Sequence, residues 1–170
     1  MRVAIRTFIL LSALLGVGYP LLVSAIGHTF WSYQVDGSLV RSGGKVIGSL
    51  LIGQPFHSPQ YIHARPSANG YHADGLAKDH RPVTFAGLRA FAQSQHSAQP
   101  AMMTYSSSGV DPDLPVAAVR SQFPRVEKYC HASAVQLQEL LASHIESGIL
   151  GPQVVNILKF NLALKPICHA

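Results

Sequence analysis

The sequence predicts an α+β protein: one N-terminal transmembrane helix followed by a small exported α+β domain. Three observations carry this. Thr7 to Gly27 (TFILLSALLGVGYPLLVSAIG) holds no charged side chain, and the first ionised residue after Arg6 is Asp36. The middle of the chain has short apolar runs bounded by glycine and proline, of strand length. The last third has apolar residues at helical spacing with capping signals. No internal repeat and no alternating βαβ rhythm is present.

The apolar run sets the organisation. About 20 residues at about 1.5 Å each span about 30 Å, the hydrocarbon thickness of a bilayer. The chain divides into a cytoplasmic N-terminus (1–6), a membrane helix (7–27), a juxtamembrane connector (28–44) and an exported α+β domain (45–170). Val23-Ser24-Ala25 would serve as a signal-peptide cleavage site, with Pro20 as the helix break before it. A retained anchor is favoured, because the run is longer than a signal peptide's apolar region. Phe30-Trp31-Ser32-Tyr33 also supplies an aromatic cluster suited to the far membrane interface. Arg2 and Arg6 hold the N-terminus in the cytoplasm and send the bulk of the chain outside.

Along the exported part, Gly37, Gly43 and Gly44 mark a turn-rich connector, and Lys45 to Gly53 (KVIGSLLIG) reads as a buried strand. Gln60 to Ala64 reads as a second strand, closed by Arg65-Pro66. Ser67 to Pro82 is a loop with Asn69-Gly70, Asp74-Gly75 and Pro82 as turn chemistry. Phe85, Leu88 and Phe91-Ala92 give a helix over Thr84 to Gln93, followed by a polar linker to Pro100. Ala101 to Tyr105 reads as a strand entering the turn Ser106 to Gly109. Asp113 to Pro115 leads into a helix over Val116 to Lys128, kinked or interrupted at Pro124. Ser133 and Gln136 form a capping box for a helix that stops at Gly148. Gly151-Pro152 starts a final helix, with Val154, Val155, Leu158 and Leu162 on one face.

Composition excludes some partners. Thirteen Lys and Arg against eight Asp and Glu give +5 and a pI of about 9.5. Setting aside Arg2 and Arg6 leaves eleven bases against eight acids, or +3, and those eleven are scattered singly. Nucleic-acid binding needs a concentrated field, and none is present.

A search for chemistry finds no active site. His57, His63, His72 and His80 match no helical pair and no compact zinc pattern. Cys130-His131 and Cys168-His169 supply four ligands for a zinc site, but adjacent residues seldom both reach one metal. A disulfide or two free thiols is the better reading of the cysteines. Ser106-Ser107-Ser108-Gly109 lacks the nucleophile-elbow pattern, and Gly43-Gly44-Lys45 lacks the phosphate-loop pattern. No metal or cofactor of this chain's own is expected. The residues describe an anchored accessory or interaction domain; the alternative is a signal-peptide-bearing periplasmic binding or hydrolytic protein.

Seven short motifs, in order, resemble the C subunit of the Kdp-type potassium-transporting ATPase. They are Tyr19-Pro20-Leu21-Leu22, Gly37-Ser38-Leu39, the run Gly48 to Phe56 (GSLLIGQPF), Arg65-Pro66-Ser67-Ala68, Ser108-Gly109-Val110-Asp111, Gln122-Phe123-Pro124-Arg125-Val126, and Val155 to Leu158 with Asn161 to Leu164. Two departures stand out. Asp74 to Asp79, including Lys78, replaces a Gly-Gly-Ser-Asn loop, and Asp113 stands where many members have His or Asn.

The resemblance implies an uncleaved single-pass subunit in the cell inner membrane. It has no catalysis of its own, and it assembles with a potassium-conducting subunit and an ATP-hydrolysing P-type subunit, which handle potassium and ATP. It also implies a catalytic chaperone that raises the ATPase subunit's affinity for ATP, with Gln122 and Arg125 as nucleotide-related residues. Gly48, Gln54, Arg65, Pro66, Ser67, Asn156 and Asn161 are its structural motif residues, with Arg65 expected to hold backbone carbonyls or an acid such as Asp111. On the charge rule the domain lies outside and ATP inside, so direct contact by Gln122 or Arg125 would need the opposite topology. Any effect on ATP affinity is then expected to pass through subunit packing.

Overall fold

A computed structural model describes residues 1–72, 86–94, 99–148 and 151–168. The expected turn at Asp74-Gly75, Lys78, Asp79, His80, Pro82, the start of the helix at Thr84 and His169 lie outside the described residues.

The apolar run forms a helix longer than itself, α1 (Arg2–Phe30), with its most apolar window wholly unburied by the rest of the chain. A side chain facing lipid needs no partner from its own domain, so this exposure fits a membrane helix. Pro20 has no N–H to donate to the preceding turn, and the wider π-helical turn Leu14–Gly18 ends two residues before it. Trp31 leaves helical geometry (φ −139°, ψ 44°) and ends the helix.

The connector is more ordered than its glycines predict. One helical turn, α2 (Ser32–Val35), folds Val35 back against Gly27. Strands β1 (Leu39–Ser42) and β2 (Lys45–Ser49) then pair antiparallel across Gly43-Gly44, both at positive φ. The hairpin therefore straddles the expected boundary at residue 45. The expected buried strand Lys45 to Gly53 is corrected: β2 ends at Ser49, and Val46, Ile47, Leu51 and Ile52 are exposed. A two-stranded hairpin has no second layer to cover these side chains.

The domain core lies between helices and a three-stranded antiparallel sheet. Helices α3 (Ala86–Ser94) and α4 (Pro100–Met103) precede β3 (Asp113–Pro115), α5 (Val116–Arg120) and α6 (Phe123–Cys130). The expected strand at Ala101 to Tyr105 is instead the short helix α4, which Pro100 opens and which buries Met102. Pro124 does interrupt the helical stretch, standing in the first turn of α6. Helix α7 (Ala134–His144) carries the predicted capping box. It ends before Gly148, because Ile145 and Glu146 form β4.

The final segment also differs. Val154–Asn156 is β5, the central strand of the order β3-β5-β4, and helix α8 (Ile157–Cys168) starts only after it. Two adjacent β-branched valines suit a strand paired on both edges. Leu114 and Val155 face each other across the sheet, both fully buried. Val126, Leu137, Leu141, Phe160 and Leu164 fill the space against the helices.

Cys130 and Cys168 are joined in a disulfide that ties the end of α6 to the end of α8. Of the two readings left open by the sequence, the free thiols are therefore excluded.

Candidate functional site

The polar residues singled out in the sequence converge on three knots that hold irregular chain in place. The first grips the segment expected to be a strand at Gln60 to Ala64. Its backbone pairs with no strand; side chains take the place of a sheet neighbour. Asn161 on α8 accepts from Ile62 N (2.9 Å) and donates to Ile62 O (2.8 Å). Gln122, just before α6, does the same for His63, accepting from its N (2.9 Å) and donating to its O (3.1 Å). Arg125 on α6 donates to the carbonyls of Pro59 and Tyr61 (2.9 Å) and to Gln122 Oε1 (2.7 Å). A primary amide matches a peptide group donor for acceptor, so each makes the pair of bonds a strand would make. Asn161, Gln122 and Ile62 are all buried.

The second knot joins Arg65-Pro66-Ser67 to the serine-rich turn. Arg65 lies 3.6 Å from Asp111 and donates to Thr104 Oγ1 (3.2 Å). The Ser67 hydroxyl lies 2.6 Å from both Gly109 O and Asn69 Oδ1, donating to one at a time, and accepts from Tyr71 N (2.9 Å). Pro66 O accepts from Ser106 N (2.8 Å). Tyr71 donates its hydroxyl to Arg65 O (2.7 Å), and burial pushes its pKa up to about 12.

The third knot connects the anchor to the core. Ser49 Oγ donates to Gly37 O (2.6 Å), and Leu50 N to Ser38 O (3.1 Å). Asn156 then donates to Leu50 O (2.8 Å) and Asp113 Oδ1 (3.1 Å). Its own oxygen accepts from Lys159 N (3.2 Å), the N-cap arrangement for α8. Gln54 donates to Ile47 O (3.0 Å) and packs where Gly48 has no side chain.

Known proteins resemble the chain over nearly its full length. The model of the family described as KdpC: K+-transporting ATPase, c chain matches residues 1–166. The chain belongs to the KdpC family. The potassium-transporting ATPase KdpC subunit of Pseudomonas aeruginosa is 38% identical over 174 residues, covering 96% of this chain and 95% of that one. That of Acidobacterium capsulatum is 34% identical, covering 96% of each. That of Methylococcus capsulatus is 36% identical, covering 88% of each.

In this KdpC-family chain, the structure brings Gln122, Arg125 and Asn161 together and places Arg65, Pro66 and Ser67 in a separate knot. Gly48 and Gln54 meet at the hairpin, and Asn156 stands between the hairpin and the sheet. Arg125 is occupied by backbone carbonyls and by Gln122. Ile47, Gln54, Phe56, Tyr61, Leu158 and Lys165 border a shallow groove of about 200 Å³ between hairpin and α8. Among the described residues, no three His, Cys, Asp or Glu side chains gather around a common point.

Besides Tyr71, three titrations are displaced, that of Arg125 downward by burial. His63 is held below its ordinary value by burial, then by the Arg125 guanidinium and His57, while a bond to Ser58 O pulls the other way. Asp113 is pushed up by burial, with Asp111 and Glu146 adding to the push and Asn156 and Lys159 opposing it. Sequence reasoning did not single out Ser49 or Tyr71. Their roles depend on which carbonyl each hydroxyl meets, and no spacing encodes that.

Proposed function

We propose that this chain is a non-catalytic, single-pass accessory subunit of an ATP-driven potassium-uptake complex in the cell inner membrane. Its N-terminus is cytoplasmic and its domain lies outside. It works with a potassium-conducting subunit and an ATP-hydrolysing P-type subunit, and its contribution is to assembly. The observation that carries the orientation is the Cys130–Cys168 disulfide, a bond that persists in exported compartments and not in a reducing cytoplasm. Arg2 and Arg6 support the same orientation. An outside domain cannot touch ATP, so a catalytic-chaperone effect on ATP affinity is transmitted through packing between subunits. In this reading Gln122 and Arg125 act by keeping the Pro59–His63 strap in shape, not as nucleotide ligands.

Affinity purification of the tagged chain in mild detergent tests the reading. Larger membrane subunits with potassium-stimulated ATPase activity are expected to co-elute. Purification of the chain alone would overturn it. In intact spheroplasts, a membrane-impermeant maleimide applied after reduction should label Cys168, the less buried of the two cysteines; labelling only after lysis would reverse the orientation.

A further inference from the structure

The exposed apolar surface of the domain is concentrated next to the anchor. Past α1 and α2, the large apolar residues exposed among the described residues are Val46 (48%), Ile47 (36%), Leu51 (59%) and Ile52 (37%), with Tyr129 and Val135 elsewhere. The first four lie on the hairpin and the turn that follows it. A strict strand would alternate Val46 and Ile47 between faces, but a bulge opposite Val40 and Arg41 makes Ile47 an extra residue, and both are exposed.

Two cations sit on the same hairpin, Arg41 and Lys45. Both are exposed, and neither has an acidic partner among the described residues. The hairpin is held close to the end of the span. Val35 folds back on Gly27 of α1, and the hairpin root bonds to Gly37 and Ser38, just beyond Val35.

We infer that this hairpin docks on the headgroup layer of the bilayer that α1 crosses, with anionic lipid as its partner. Val46, Leu51 and Ile52 enter the interfacial region, Ile47 lies at its edge beside the groove toward α8, and Arg41 and Lys45 pair with lipid phosphates. Apolar side chains beside unpaired cations form the composition that binds an anionic interface. Continuity with the membrane helix supplies a high local lipid concentration, so a small patch suffices. The inference rests on the anchored reading of α1.

The test uses the full chain reconstituted in phosphatidylcholine bilayers with and without phosphatidylglycerol, carrying a bimane label at Val46→Cys. A Tyr129→Cys label serves as the exposed control. With phosphatidylglycerol present, a headgroup nitroxide should quench the hairpin label, and aqueous iodide should not. Arg41→Ser and Lys45→Ser should each weaken docking about fivefold. A hairpin label that behaves like the Tyr129→Cys label in a chain retained by the bilayer overturns the lipid contact alone. Shielding that appears only when the other complex subunits are co-reconstituted assigns the face to protein and also overturns it. Release of the chain by alkaline carbonate would instead overturn the anchor reading itself.

Discussion

Asn161 and Ile62 are 99 residues apart in sequence, yet one side-chain amide satisfies both backbone groups of the other residue, at 2.9 and 2.8 Å. Both residues are buried, so no water is at hand to replace those bonds. Ile62 and His63 in the strap are thus bonded as strand residues would be, with side-chain amides as the partners. Asn161→Ala should leave one buried N–H and one buried C=O unpaired, costing about 2–4 kcal/mol. Chemical denaturation of the purified chain checks this. An unchanged midpoint would show that the strap holds without the amide.

Gly53 lies where any side chain would run into the backbone of Val110 and Asp111, and its N–H donates to Val110 O (2.7 Å). Backbone cannot swing aside as a side-chain end can. Gly53→Ala should therefore destabilise by about 1–3 kcal/mol. Gly48→Ala meets only the flexible Gln54 side chain, and thermal melting should rank it as the milder change.

The disulfide closes a sequence separation of 38 residues. In the chain-entropy model a loop of that size is worth about 4 kcal/mol. Replacing both Cys130 and Cys168 with Ala should lower the urea midpoint accordingly. Reductant should move the parent chain toward the variant and leave the variant where it was. A parent chain indifferent to reductant would count against the bridge.

Burial of His63 gives the domain a pH dependence whose sign follows from the lowered pKa. Its folded pKa lies below the ordinary 6.5, so the unfolded chain takes up the proton first as pH falls. The stability due to its neutral form is complete above pH 6.5 and declines from there down to its lowered folded pKa. Asp113 works the other way in a more acidic window: its raised pKa adds stability as pH falls through that value toward 3.8. His63→Gln should flatten the decline just below pH 6.5. A slope identical to the parent's would remove His63 as its cause.

Gly16 has nothing within 4 Å of where a side chain would start, and Gly18 has only contacts of 3.8 Å. Open small-residue positions let a second helix approach closely. Replacing both with Leu should reduce recovery of partner subunits in mild detergent while membrane insertion stays intact. Full recovery would mean that α1 only anchors.

The sequence by itself determined the features that depend on neighbours in the chain. An uncharged run of bilayer length reads as an apolar helix, and the structure forms one over Arg2–Phe30. Ser133 and Gln136 satisfy a helix start from three residues away, so that capping box was legible as written. The short motifs were legible too, and they carried the family. Tertiary structure decided what depends on partners far along the chain. Val154-Val155 has helical spacing with Leu158 and Leu162, yet it became the central strand because β3 and β4 lie on either side of it. Gln60 to Ala64 looked like a strand because it is a short run closed by Arg65-Pro66. Whether its peptide groups would meet another backbone or the amides of Gln122 and Asn161 was a question of proximity, not of local preference. The cysteines are the clearest case: 38 residues of separation permit a bridge or two thiols, and only the packing that brings the ends of α6 and α8 together selects the bond.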